Sequence, residues 1–207
     1  YRGVADLWIS LTEWIQQTNG KKSMTYVYWG DVDENSHRFG PQDERVWVEF
    51  ERFSQVFEQQ FLNRMNRRGD TLLLMTADHG LISTPKNPIY DLKNHPGLLD
   101  LLHIYPTGEH RMAYLFVRPG RTEAVRNYFE QAWPGDFIVL PADEVVKSGL
   151  FGPGTPAAVV KDRVGDLVVF AQGNAYLWWA PKENIMLGRH GGLSPQEMQV
   201  PLLAVRL

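Results

Sequence analysis

Residues 71–80 read Thr-Leu-Leu-Leu-Met-Thr-Ala-Asp-His-Gly. The unbroken apolar run from Thr71 to Thr76 predicts a strand buried on both faces, the kind found in parallel sheets. It runs straight into Ala77-Asp78-His79-Gly80. Upstream, Asp43 to Arg68 carries Val46, Phe50, Phe53, Val56, Phe57, Phe61 and Met65 at helical spacing, which predicts one long helix closed by Arg67-Arg68-Gly69. Before it, Met24 to Trp29 (Met-Thr-Tyr-Val-Tyr-Trp) is β-branched and aromatic without clean alternation, and predicts a second buried strand. Val4 to Gln17 places Leu7, Trp8, Leu11, Trp14 and Ile15 on one helical face and ends at Asn19-Gly20. Helix, buried strand, long helix, buried strand predicts an α/β fold with a mostly parallel sheet flanked by helices, whose ligands collect at the carboxyl ends of the strands.

Downstream the pattern changes. Ser83 to His95 is loop-like, and Pro96 to Leu102 predicts a short helix. Strands are expected at Arg111–Arg118 and Phe137–Leu140, a helix at Thr122–Trp133 and a hairpin at Leu167–Trp179. Residues 104–184 therefore read as a small α+β insert or cap, and residues 1–103 with 185–207 as the α/β core. Ser194-Pro195-Gln196-Glu197 fits a capping box, and Val200 to Leu207 a closing strand.

The 207 residues are 43% hydrophobic and carry a net charge of −3, enough for one sizeable core and too balanced for bulk attraction to a nucleic-acid polymer. No apolar run approaches the roughly 20 residues of a membrane span. Zero cysteines exclude disulfides, thiolate metal sites and cysteine nucleophiles, so any metal must sit on His, Asp and Glu. The chain opens Tyr-Arg-Gly-Val without an initiator Met or a signal-peptide pattern, and reads as a processed or truncated piece. The cytoplasm is favoured, with a processed secreted protein as the alternative; oligomeric state is not legible.

Three clusters carry candidate chemistry: Asp33-Glu34-Asn35-Ser36-His37, Thr76-Ala77-Asp78-His79-Gly80 and Gly188-Arg189-His190-Gly191-Gly192. Asp33 and His37 come together if their segment makes one helical turn, and a turn onto Gly80 can direct Asp78 and His79 to one ion. Carboxylate oxygen with imidazole nitrogen suits zinc, or manganese or iron when oxygen-rich. Five ligands exceed a lone tetrahedral zinc but suit most of a two-metal site. Each cluster alone also fits a duller role: a cap, an Asx turn, a loop histidine. Their co-occurrence at one predicted sheet edge favours the ions. Arg189 could meet a phosphate oxygen or form a surface salt bridge.

The string D-x-x-x-H-x-x-G-P at Asp33, His37, Gly40 and Pro41, the Thr-Ala-Asp-His-Gly at 76–80 and the ending from His190 to Leu202 (His-Gly-Gly-Leu-Ser-Pro-Gln-Glu-Met-Gln-Val-Pro-Leu) together resemble the type I phosphodiesterase/nucleotide pyrophosphatase family of the alkaline phosphatase superfamily. The resemblance spans about residues 24–207. It implies an incomplete alkaline phosphatase-like fold and hydrolysis of a small phosphodiester or nucleotide pyrophosphate. It also implies two divalent cations, usually zinc: Asp33, His37 and His190 on one, Asp78 and His79 on the other. The family's Thr or Ser nucleophile lies upstream of the first motif and has no match here, so the chain is expected to be a carboxyl-terminal portion, inactive alone. Ser36 stands where the family commonly has Gly. A sulfatase, a cofactor-independent phosphoglycerate mutase, a non-catalytic phosphate-binding module and a metal-free domain are the rival readings.

Overall fold

A computed structural model describes residues 1–18, 21–65 and 69–207. In chain order its elements include α1 (Val4–Gln17), α2 (Asp31–Phe39), α3 (Glu44–Phe57) continuing as a π-helical turn at Glu58–Leu62, β1 (Leu72–Thr76), β2 (Ile82–Ser83) and α4 (Pro96–Leu99). Then follow β3 (Thr107–Glu109), β4 (Met112–Leu115), α5 (Thr122–Ala132), β5 (Phe137–Pro141), α6 (Ala142–Lys147), α7 (Val160–Val164), β6 (Leu167–Ala171), β7 (Gly188–Arg189), α8 (Pro195–Met198) and β8 (Leu202–Arg206). The chain divides into two compact units, Tyr1–Asp78 with Val200–Leu207, and His79–Gln199. The helix ends expected at Asn19-Gly20 and Arg67-Arg68 lie outside the described residues.

The first unit is built around Trp8. Its ring packs against Phe53, Phe57 and Phe61 at 5.4, 4.7 and 5.3 Å between centres. Asp43 caps α3 by accepting from the Arg45 amide at 3.0 Å. The π turn keeps Phe61, fully buried, stacked 5.7 Å from Phe57. Thr12, which is buried, places its hydroxyl 2.8 Å from the Trp8 carbonyl and 3.2 Å from that of Gln60 inside the π turn.

The sheet differs from expectation. β1 pairs antiparallel with β8, from Leu72 opposite Arg206 to Thr76 opposite Leu202. Among the described residues every pairing between named strands is antiparallel, and a parallel contact exists only as the isolated bridge of Asp91 with Trp178. The expectation of a mostly parallel sheet is therefore corrected. The apolar run of β1 is not buried on both faces: Leu72 and Leu74 are 66% and 62% exposed, while Leu73 and Met75 turn inward beside Val205 and Leu207. Composition gives strand propensity, but the direction of the partner is a non-local property that no run of leucines encodes. Met24 to Trp29 joins no ladder among the described residues; Met24 is 94% exposed, and Trp29 alone of its large side chains packs on the core.

The second unit holds a four-stranded antiparallel sheet in the order β3-β4-β6-β5. All of β6 is buried. Leu167 and Val169 face one way, into a cluster with Val125, Phe129 and Trp133, while Val168 and Phe170 face the other, against Ala142, Val145 and Val164. The hairpin expected over Leu167–Trp179 is a single strand followed by a turn; among the described residues the one strand-type pairing of Trp178 is its isolated bridge to Asp91. No helix among the described residues is long and apolar enough to cross a membrane.

Candidate functional site

In the first unit, Asp33 and His37 do lie one helical turn apart, on α2. The segment is a nine-residue helix rather than a loop. Its first turn is acidic (Asp31, Asp33, Glu34) and its last basic (His37, Arg38), which suits the helix dipole. Ser36 is accommodated because a helix needs no glycine there: it is buried and its hydroxyl donates to the Val32 carbonyl at 2.7 Å. His37 Nε2 stands 3.4 Å from Asp33 Oδ1. That oxygen is buried and accepts no hydrogen bond among the described residues, the imidazole contact being a charge-pair distance without hydrogen-bond geometry.

Asp78 closes the same unit, two residues past β1, where the Thr76 hydroxyl donates to the Pro201 carbonyl at 2.8 Å. The Tyr28 phenol reports on both carboxylates. Its acidity is weakened first by partial burial, then by the negative charges of Asp78 and Asp33. The two acids thus act on one point. In the sequence Tyr28 is strand material only, since nothing local distinguishes a tyrosine beside two distant acids.

In the second unit β2 and β7 form a two-pair antiparallel ribbon, Ile82 opposite Arg189 and Ser83 opposite Gly188. His79 precedes this ribbon and His190 follows it, so both emerge at one end. Their imidazoles stack 3.5 Å apart between centres, 13° from parallel. His79 Nδ1 lies 3.1 Å from the Gly80 carbonyl, and since a carbonyl only accepts, that hydrogen bond requires the proton on Nδ1.

Arg189 points inward. It is buried and donates to Thr84 Oγ1 at 2.6 Å and Asn184 Oδ1 at 2.5 Å, with its guanidinium 3.7 Å above the Tyr176 ring. Burial pushes it down to about 10. The surface salt bridge does not match this buried placement.

The residue that sequence reading gave too small a part is Glu197. It is buried, and instead of a capping box its carboxylate accepts from the Gly192 amide at 2.8 Å, the Ser194 hydroxyl at 2.6 Å and Arg111 at 2.6 and 3.0 Å. Burial alone would raise the Glu197 carboxyl, but these donors and the Arg111 charge hold it below its ordinary value. Arg111 stood only as the first residue of a predicted strand, and a pair this far apart in the chain leaves no local pattern.

A model of the type I phosphodiesterase / nucleotide pyrophosphatase family matches residues 4–193. The chain belongs to that family. Comparison with curated proteins gave no match. Among solved structures this phosphodiesterase-family chain is similar to murine ectonucleotide pyrophosphatase / phosphodiesterase 5 (19% identity, TM-score 0.69) and to the human protein of that name (16%, 0.71), each over 98% of this chain and 52% of the other. It is also similar to phosphonoacetate hydrolase from Sinorhizobium meliloti 1021 in complex with phosphonoacetate (18%, 0.61), over 97% of this chain and 49% of that one. At these identities the likeness is one of fold, and the chain spans about half the length of the structures it matches.

Proposed function

We propose that this family member contributes the metal-holding portion of a hydrolase of phosphodiester or nucleotide pyrophosphate bonds in small molecules. On this reading Asp33, His37 and His190 hold one divalent cation and Asp78 and His79 a second, zinc being the first choice and manganese or iron the others. The observation that carries the reading is the buried Asp33 Oδ1 with no hydrogen-bond donor, turned toward the imidazole one helical turn away. A buried carboxylate oxygen without a donor is costly unless a cation meets it. The all-oxygen-and-nitrogen donor set fits the same ions, and a carbonyl at His79 Nδ1 is the kind of contact that orients an imidazole ligand.

Divalent cations bound there supply charge neutralisation on the phosphoryl oxygens and on the leaving oxygen. The chain's own residues orient those ions: α2 fixes Asp33 against His37, and the β2–β7 ribbon fixes His79 against His190. The attacking hydroxyl is assigned to none of residues 1–207, and Arg189 is read as a support for the loop before His190 rather than a phosphate contact.

Metal analysis of protein purified without chelator tests the reading: two equivalents of transition metal are expected, and less than one overturns it. Hydrolysis of bis(p-nitrophenyl) phosphate by the 207-residue chain at enzyme-like rates would overturn the placement of the nucleophile. A panel adding phosphonoacetate separates diester from phosphonate chemistry.

A further inference from the structure

We infer that Glu197, anchored by Arg111, is a positioning residue that sets the two histidine-bearing loops of the second unit against each other. Its backbone carbonyl accepts from the Gly80 amide at 2.8 Å, one residue after His79. Its carboxylate accepts from the Gly192 amide at 2.8 Å, two residues after His190. One residue therefore grips both loops, by main chain and by side chain, and the two imidazoles stack at 3.5 Å.

Both loops carry glycine where they are gripped, and close approach requires it. A Cβ on Gly192 would stand 2.7 Å from Glu197 Oε2, and one on Gly80 would run into the Gln196 carbonyl. Arg111 holds the clamp to the body of the unit. While its Nε and Nη2 bind the carboxylate, its Nη1 donates to the carbonyls of Gly173 at 3.1 Å and Ala175 at 2.5 Å. Ser194 adds its hydroxyl at 2.6 Å. A buried ion pair is weak support for stability in itself, and an apolar pair of similar volume often serves as well. An apolar pair could not accept the Gly192 amide or direct the loop, so the role of this pair is geometric.

The inference depends on the proposed metal site only for its effect on affinity; the ring geometry stands apart from it. Histidine side-chain NMR of the full chain, before and after chelator treatment, reads that geometry directly. Mutual ring currents should shift the His79 and His190 ring protons upfield. Gly192→Ala, which drives a Cβ against the carboxylate, and Ser194→Ala, which removes one of its donors, both keep the two charges of the buried pair and should move them back, most in Gly192→Ala. The His95 signals, held by the Tyr128 hydroxyl at 3.0 Å and the Ile89 carbonyl at 2.7 Å, should stay. Zinc competition with a chromophoric chelator should show affinity about 10–100-fold weaker in Gly192→Ala, the size of effect that supporting residues around metal ligands exert. Unmoved His79 and His190 signals in both variants would overturn the inference, as would unchanged zinc affinity beside a lowered melting temperature. A wild-type chain that binds no zinc would remove the proposed function, and the ring signals would still decide the clamp.

Discussion

Ile82 stands opposite Arg189 in an antiparallel ribbon two residue pairs long, and this short register brings the two loop histidines together. Beyond the ribbon the Thr84 amide donates to the Leu187 carbonyl at 2.8 Å, continuing the same alignment. So few backbone bonds cannot hold a register alone. The buried Arg189 side chain supplies the rest, tying the carboxyl-side strand to Thr84 and Asn184.

Thr84→Val should therefore destabilise the protein by about 1–3 kcal/mol, because it leaves a buried guanidinium donor without its hydroxyl acceptor while conserving volume. Arg189→Lys should act in the same direction, since a lysine cannot serve two acceptors and an aromatic face with one planar fork. Urea unfolding measures both. Unchanged midpoints would mean the ribbon is held by something other than Arg189.

How much of this was legible beforehand divides by distance along the chain. The helix at Val4–Gln17 follows from local periodicity and stands where the spacing put it. The single helix expected over Asp43–Arg68 is α-helical only at Glu44–Phe57 and passes into a π turn at Glu58–Leu62, and the apolar run Thr71–Thr76 gives the strand Leu72–Thr76. The Asp33–His37 pairing is legible for the same reason, being one turn of one helix. The antiparallel partners were not. Leu73 facing Val205 depends on a segment more than a hundred residues away, and Leu74 is exposed although its neighbours in sequence are as apolar as itself. Met24 to Trp29 shows the converse: with strand composition but no ladder partner among the described residues it is coil, exposed but for Trp29. Arg111 and Glu197 were invisible because a buried charge pair depends only on where the fold brings its two ends.

Asp33→Asn separates ligand from scaffold. The carboxylate's favourable place in the first turn of α2 is worth at most about 1 kcal/mol, and the Oδ1 atom accepts no hydrogen bond that the amide would lose. The melting temperature of metal-free protein should thus move little. Zinc retention should fall by more than about tenfold, since even a residue supporting a ligand costs that much. Calorimetry of chelator-treated protein and zinc competition give the two numbers; a large stability loss with zinc binding intact would make Asp33 structural.

Tyr90 donates to Asp136 at 2.8 Å, and burial first, then this bond and the Asp136 charge, push its phenol up to about 12. A raised folded value means the folded state keeps its proton longer, so the contribution is complete below pH 10 and is lost as pH rises toward 12. Tyr90→Phe should cost about 1–2 kcal/mol at neutral pH and flatten the alkaline fall in stability. Ultraviolet titration of the folded protein should lose its latest-ionising tyrosine in the variant. If the late step persists, it belongs to another phenol.

Glu197 gives the opposite sign. Its folded value lies below the ordinary 4.5, so between the two the unfolded chain holds more protons and stability rises with pH. Its contribution is complete above about pH 4.5 and disappears as pH falls through the lower folded value. Glu197→Gln removes this acid-range slope and strands the buried Arg111, which should cost about 3–5 kcal/mol near neutral pH. Adding Arg111→Met to Glu197→Leu should recover much of that stability, because no buried charge is then left alone. The acid slope should stay absent in the double variant, and the Gly192 amide and Ser194 hydroxyl should still lack their acceptor. Urea midpoints for the three proteins at about pH 6 and about pH 3.5 resolve the case. If wild type and double variant lose equal stability on acidification, the depressed carboxyl is not Glu197, and the acid sensitivity belongs to the exposed pairs that all three share.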